Sequence, residues 1–198
     1  MNSDVAFSMV SAMVVQADHK YINGDVLDVG CGVKPYKRLF FDGEQYGEGV
    51  TSWTGFDVRP VGELQGDLSE KIPADDESFD TVLCTDVLSY IFDLHGAMNE
   101  MTRVLRHGGF MFIIEPNCRE DDSEAFWGFR MKGLGGLAQS HGMDVIELKS
   151  VSKLWNGEFE NLRGQTKYGF TFPGEIQGWV DALDERYPNV SVLAARKP

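Results

Sequence analysis

Several absences narrow the function of this sequence before any motif is read. No stretch approaches the roughly 20 apolar residues that a membrane-crossing helix needs, so no such span is expected. Positive charge is scarce: 18 Lys and Arg stand against 31 Asp and Glu, for a net charge of −13. Phosphate binding works by Lys and Arg releasing counterions, so nucleic acid is not expected as a partner, and anionic membrane surfaces are disfavoured on the same ground. Cysteine occurs three times (Cys31, Cys84, Cys118), at wide, irregular spacing that suggests neither a disulfide framework nor a metal site. No basic residue precedes Lys20, whereas a secretory signal begins with positive charge; the expected location is therefore cytoplasmic. Internal repeats, low-complexity tracts and a clear linker are also missing. A single domain over 1–198 is expected, and a chain of that length can bury about 70% of its unfolded surface.

What is present is an alternation of two periodicities. Residues 3–20 read as a helix that Ser3 or Asp4 can cap, giving an N-terminal helical segment over 1–22. Asp25-Val-Leu-Asp-Val29 is a short, β-branched apolar run ending in Gly30-Cys-Gly32, which reads as a buried strand entering a tight turn. Tyr36 to Phe41 suggests a short helix, and Asp42 to Ser52 a glycine-rich loop. Further strands are expected at Trp53 to Val58, near Glu63 to Gly66, at Phe79 to Thr85, at Phe110 to Ile114 and at Met143 to Val151. Asp93 to Leu105 reads as a helix with Ala97, Met98, Met101, Val104 and Leu105 on one face, ended by Gly108-Gly109. A helix is expected within 124–140, another at Gly174 to Arg186, and a final edge strand at Val190 to Ala195. The pattern predicts an α/β fold: a doubly wound, mainly parallel sheet with helices on both faces and an antiparallel edge strand. Residues 23–150 form its ligand-binding core, and 151–198 an acceptor-side segment.

Such a sheet binds ligands beyond the carboxyl ends of its strands, where strand order reverses. Those ends offer Asp28, Gly30, Cys31 and Gly32, then Asp57, Asp67, Thr85 with Asp86, and finally Glu115 to Asn117. Glycines let a backbone approach a ligand closely. Asp57, a little more than 20 residues past the turn, suits ribose hydroxyls. Asp28 would repel a pyrophosphate and attract an ammonium or sulfonium group. S-adenosylmethionine carries both cations.

Val26-Leu-Asp-Val-Gly-Cys-Gly32 resembles the first motif of the class I methyltransferases. Pro73 to Asp80 resembles the stretch leading into their fourth strand, and Leu88 to Phe112, with Arg103-Val-Leu-Arg-His-Gly-Gly109, their helix and turn before the fifth. The continuation Val33-Lys34-Pro35-Tyr36 lacks the family's common third glycine and resembles a bacterial subgroup found among surface-polysaccharide and glycan genes. The resemblance implies S-adenosylmethionine as cofactor and assigns roles. Gly30, Cys31 and Gly32 would run under its methionine part, with Asp28 at the amino group and Tyr36 beside the turn. Asp57 would take the ribose hydroxyls and Val58 the adenine face. Asp67 and Leu68 would lie at the adenine edge, and Thr85, Asp86 and Val87 would line the other side.

Tyr90, where many relatives have histidine, and His95 are the catalytic candidates; neither a general base nor a metal site is identified. His19, His107 and His141 read as structural, as do Trp127, Trp155, Tyr168 and Trp179. The aromatic-rich tail, with Phe126, Phe159, Phe170 and Phe172, suggests a pocket for a small organic acceptor: a sugar, glycan precursor or other metabolite before a protein side chain. Two rival readings remain. One is a non-catalytic cofactor-binding or interaction module. The other is a nicotinamide-dependent oxidoreductase, against which the missing Gly-x-Gly-x-x-Gly turn weighs.

Overall fold

The computed structural model describes residues 19–34, 36–37, 40, 49–116, 124–152 and 189–198. Seven strands form one sheet: β1 (Gly24–Val29), β2 (Val50–Asp57), β3 (Leu64–Gln65), β4 (Phe79–Thr85), β5 (Leu105–Pro116), β6 (Asp144–Ser152) and β7 (Asn189–Arg196). Their order is β3-β2-β1-β4-β5-β7-β6. β1 pairs in parallel with both β2 and β4, while β7 runs antiparallel to β5 and β6. The chain builds outward from β1 to β3 and then restarts at β4 on the other side. The carboxyl ends of β1 and β4 therefore flank the switch point.

Alternation along each strand splits the core between two faces. Leu27, Val29, Val82, Cys84, Met111 and Ile113 belong to one apolar cluster. Val26, Leu83, Phe112 and Ile114 belong to the other. Helix α1 (Leu94–Val104) lays Ala97, Met98, Met101 and Val104 on the first face, and helix α2 (Met131–Ser140) adds Leu134 and Ala138. Asp93 caps α1 by accepting the Gly96 N–H at 3.0 Å. Both α-helices among the described residues share that face. On the opposite face the described cover is Tyr21, Ile22, Tyr36 and Phe40.

Three features differ from the sequence reading. β2 begins at Val50, inside the expected glycine-rich loop, because Val50 to Ser52 pair with Gly24 and Asp25 of β1. Gly108-Gly109 does not end α1: Leu105 leaves helical geometry at ψ 132°, and both glycines lie within β5. There Gly108 exchanges bonds with the C-terminal tail, and a Cβ on Gly109 would stand 2.6 Å from the Asp80 carbonyl oxygen. β7 is not outermost; it inserts between β5 and β6, and β6 forms the antiparallel edge. The helix expected within 124–140 lies inside that range, at its final ten residues, and is no departure.

His19 begins a short 3-10 helix, His19–Tyr21. The helix expected before it, part of the one at 36–41, the aromatic tail from Trp155 onward and the helix at 174–186 fall outside the described residues.

Candidate functional site

The glycine turn is set by the pairing of β1 with β2. At its start the N–H groups of Gly30 and Cys31 both donate to the Phe56 carbonyl, at 2.8 and 3.1 Å. Gly30 (φ 67°) and Gly32 (φ 48°) take left-handed conformations that favour glycine. A Cβ at Gly30 would also collide with Val87 Cγ2, so the turn and the loop after β4 meet over a bare backbone.

Asp28 is fully buried beneath this turn. Its Oδ2 accepts the Trp53 indole N–H at 3.2 Å, while Oδ1 has no partner among the described residues. Burial pushes its pKa up to about 7 despite the indole bond and Lys34, with Asp57 and Glu63 adding repulsion. A buried carboxylate lacking one partner is costly, and a cationic ligand placed there would remove much of that cost. The Cys31 thiol is pushed up to about 11 by burial, then by Asp28 and Asp57, which leaves it neutral.

Asp57 ends β2. Its Oδ2 accepts the Gly32 N–H at 3.0 Å, and its Oδ1 accepts the Arg59 backbone N–H at 2.9 Å and Nε–H at 3.1 Å. Burial works to raise its pKa, but Arg59 and the Gly32 N–H outweigh it and hold the carboxyl below its ordinary value. Val58 beside it is 63% exposed, unlike the valines of β1. Lys34 (φ 56°) reaches from the turn to Glu63 Oε1 at 2.5 Å, and Glu63 Oε2 accepts the Gly55 N–H at 2.6 Å. This pair ties the turn to the chain entering β3.

Thr85 is buried at the end of β4, and Asp86 follows at φ 58°, its N–H bonded to the Ile114 carbonyl at 2.9 Å. The structure thus brings together Asp28, Gly30, Cys31, Gly32 and Asp57, with Val87 against the turn. Other candidates stand apart. Tyr36 packs in the apolar cluster with Phe40 and Trp53. Leu68 is a core side chain, so only its main chain is available to a ligand. Asp67 is exposed and accepts the Ser69 N–H at 2.8 Å, a turn-capping bond.

Tyr90 is half-buried and closes a 3-10 helix, Leu88–Tyr90. His95 Nδ1 meets His141 Nε2 at 2.8 Å and lines a groove of about 410 Å³ with Trp127, Arg130 and Leu137. None of the glycine-turn residues lines that groove. Sequence reading did not single out Trp53, Arg59, Glu63 or a role for Glu115. Their partners lie as far as 29 residues away, and no local pattern marks them. Among the described residues, no three His, Cys, Asp or Glu side chains gather as a metal site.

The fit to a small cationic ligand rests on the unpartnered Asp28 oxygen; the space over Gly30 is taken by Val87. Comparison with known proteins points the same way. Residues 27–113 match the family model described as a methyltransferase domain. A protein of Mycolicibacterium smegmatis named "Probable S-adenosylmethionine-dependent methyltransferase" is 30% identical over 105 residues, covering 50% of this chain and 40% of that protein. The chain thus spans less than half the length of that relative. Among solved structures, the phosphoethanolamine N-methyltransferase 2 of Haemonchus contortus with S-adenosyl-L-methionine aligns over 96% of this chain and 52% of its own, at TM-score 0.61 and 15% identity. The cyclase SpnF aligns over 96% of this chain and 82% of its own, at TM-score 0.65 and 18% identity. At such identities the structures speak for the fold alone, which is that of the class I methyltransferases.

Proposed function

We propose that this chain, which carries a methyltransferase domain of the class I, S-adenosylmethionine-dependent kind, transfers a methyl group to a small organic acceptor. The observation that carries the reading is the buried Asp28 carboxylate, one oxygen unpartnered, beneath a turn whose glycine admits no side chain. In this reading Asp28 holds the amino group of the cofactor and the backbone of Gly30 to Gly32 passes under its methionine part. Asp57 takes the ribose hydroxyls once the exposed Arg59 side chain swings aside, and Val58 covers the adenine. Asp67 and the Leu68 main chain meet the adenine edge. Thr85, Asp86 and Val87 close the other side, while Cys31 and Tyr36 support the turn from within. The bound cofactor supplies a sulfonium, an excellent leaving group for in-line displacement. The chain contributes orientation, which can account for most of the rate.

Tyr90 is assigned to the acceptor wall. His95, engaged with His141 in a separate groove, is given no part in proton removal. A small acceptor is supported by the net charge of −13, which disfavours nucleic acid, and by the exposed rings of Phe92, Phe126 and Trp127 on the loops after β4 and β5. The motif Gly30 to Tyr36 favours a sugar or glycan precursor. A single domain acting in the cytoplasm belongs to the same reading; no described helix is long and apolar enough to cross a membrane. One observation favours a non-catalytic module instead: Arg59 already occupies Asp57.

Incubation with methyl-tritiated S-adenosylmethionine, a panel of sugars, amines and carboxylates, and a separate protein fraction tests the proposal. Label in a small organic product is expected. Label confined to protein would overturn the acceptor class. Cofactor binding without transfer to any acceptor would favour the module.

A further inference from the structure

Three carboxylates are buried among the described residues: Asp28, Asp57 and Glu115. The first two belong to the glycine turn, and Glu115, near the end of β5, serves a different loop. Its Oε1 accepts the N–H groups of Val87 at 2.9 Å and Leu88 at 2.8 Å. Its Oε2 accepts the Ser89 N–H at 3.3 Å and the Ser89 hydroxyl at 3.1 Å. Three successive N–H groups at the start of a helical turn ordinarily look to a local cap, and Val87 at that position has none. A carboxylate from a neighbouring strand takes over that task.

The bonds extend in two directions. Toward the glycine turn, Glu115 fixes Val87, whose Cγ2 occupies the space over Gly30, and follows Asp86 in its left-handed conformation. Away from it, the Ser89 carbonyl accepts the N–H groups of Phe126 at 2.8 Å and Trp127 at 3.2 Å. The Trp127 indole N–H then donates to the Ile91 carbonyl at 2.8 Å.

We propose that Glu115 is a positioning residue that locks 85–91 against the glycine turn and, through Ser89, couples that loop to 124–129. The wall over the cofactor and the wall expected to face the acceptor then move as one unit. Only the naming of the two walls rests on the methyltransferase reading; the coupling does not. Burial pushes the Glu115 carboxyl up to about 7 against the pull of these bonds; once ionised it satisfies all four donors, whereas an amide must turn its own N–H groups toward at least one of them.

Hydrogen exchange on the full chain, with parallel titration of S-adenosylhomocysteine, tests this. In Glu115→Gln, exchange at Val87, Leu88, Ser89, Phe126 and Trp127 should accelerate about tenfold or more, with the amides of Val82 and Ile113 unchanged. Affinity for S-adenosylhomocysteine should fall about tenfold, and Ser89→Ala, which removes only the hydroxyl donor, should lie within about threefold of wild type. Glu115→Asp, which keeps the charge, should fall between Glu115→Gln and wild type and serves if the amide variant does not fold. Unchanged exchange at 87–89 in a folded variant would overturn the positioning role. Acceleration there without change at 126–127 would overturn the coupling. Failure of the wild type to bind S-adenosylhomocysteine would sink the methyltransferase reading and leave exchange to decide the role of Glu115.

Discussion

The two ends of the sheet treat their acidic residues in opposite ways. At the amino ends acids meet arginine. Arg106 bridges Asp25 at 3.1 Å and Asp80 at 2.7 Å, which joins the starts of β1, β4 and β5. Arg103 binds Glu100 and Asp76 and donates to the carbonyls of Ala74 and Ile72, pinning the chain before β4 onto α1. At the carboxyl ends, Asp28 and Glu115 are fully buried without an arginine and rely on an indole or backbone N–H groups. Among the described residues there, Asp57 alone meets a guanidinium, and that Arg59 side chain is 65% exposed. One end pairs its acids with guanidinium groups; the other buries two carboxyl groups without one.

Changes at the two ends should therefore separate stability from binding. The largest effect is expected for Gly30→Ala, where both the left-handed φ and the collision with Val87 oppose a side chain. A loss of about 3 kcal/mol in denaturant unfolding, together with loss of cofactor binding, is expected. Arg103→Ala should cost about 2 kcal/mol by leaving its carbonyl and carboxylate partners unmatched, while affinity for S-adenosylhomocysteine stays unchanged. A drop in affinity would break the division between the ends.

Asp28→Asn should move the two properties in opposite directions. Burial pushes the Asp28 carboxyl up to about 7, well above the ordinary value of an aspartate, so between the two the folded chain keeps a proton the unfolded chain has lost. Stability from this group therefore falls as pH rises through that window. At pH 8 the variant should be about 1–2 kcal/mol more stable than wild type, partly offset by its unpaired amide, and the gain should vanish near pH 4. Its cofactor affinity should fall. Thermal melts at both values, paired with titrations, read this directly. The smallest effect is expected for His95→Ala, with initial rates within about threefold of wild type; a hundredfold loss would identify a general base outside the glycine-turn site.

The ends of β1 and β2 were legible because each is a short apolar run that closes on a glycine or an acid, Gly30 and Asp57. Phe79–Thr85 was read with its observed limits for the same reason. Less legible was anything fixed by distant pairing. Gly108-Gly109 looks like a helix stop, but pairing with the C-terminal tail draws both glycines into β5. The insertion of β7 between β5 and β6 is likewise a matter of sheet order, which local periodicity does not encode. Arg103 and Arg106, read as part of a family-like motif, turn out to hold the amino end together. Asp28 was noticed as an acid in a turn; its unpartnered oxygen required Trp53, 25 residues away, to be in place.

Calorimetric titration of the wild type and Asp57→Ala with S-adenosylmethionine and S-adenosylhomocysteine, with NADH as control, decides whether the ends of β1 and β2 hold an adenosyl cofactor. Micromolar binding of the adenosyl pair alone, weakened about tenfold or more in Asp57→Ala, is predicted for a carboxylate holding ribose hydroxyls. Binding of neither, or of NADH in their place, would contradict it.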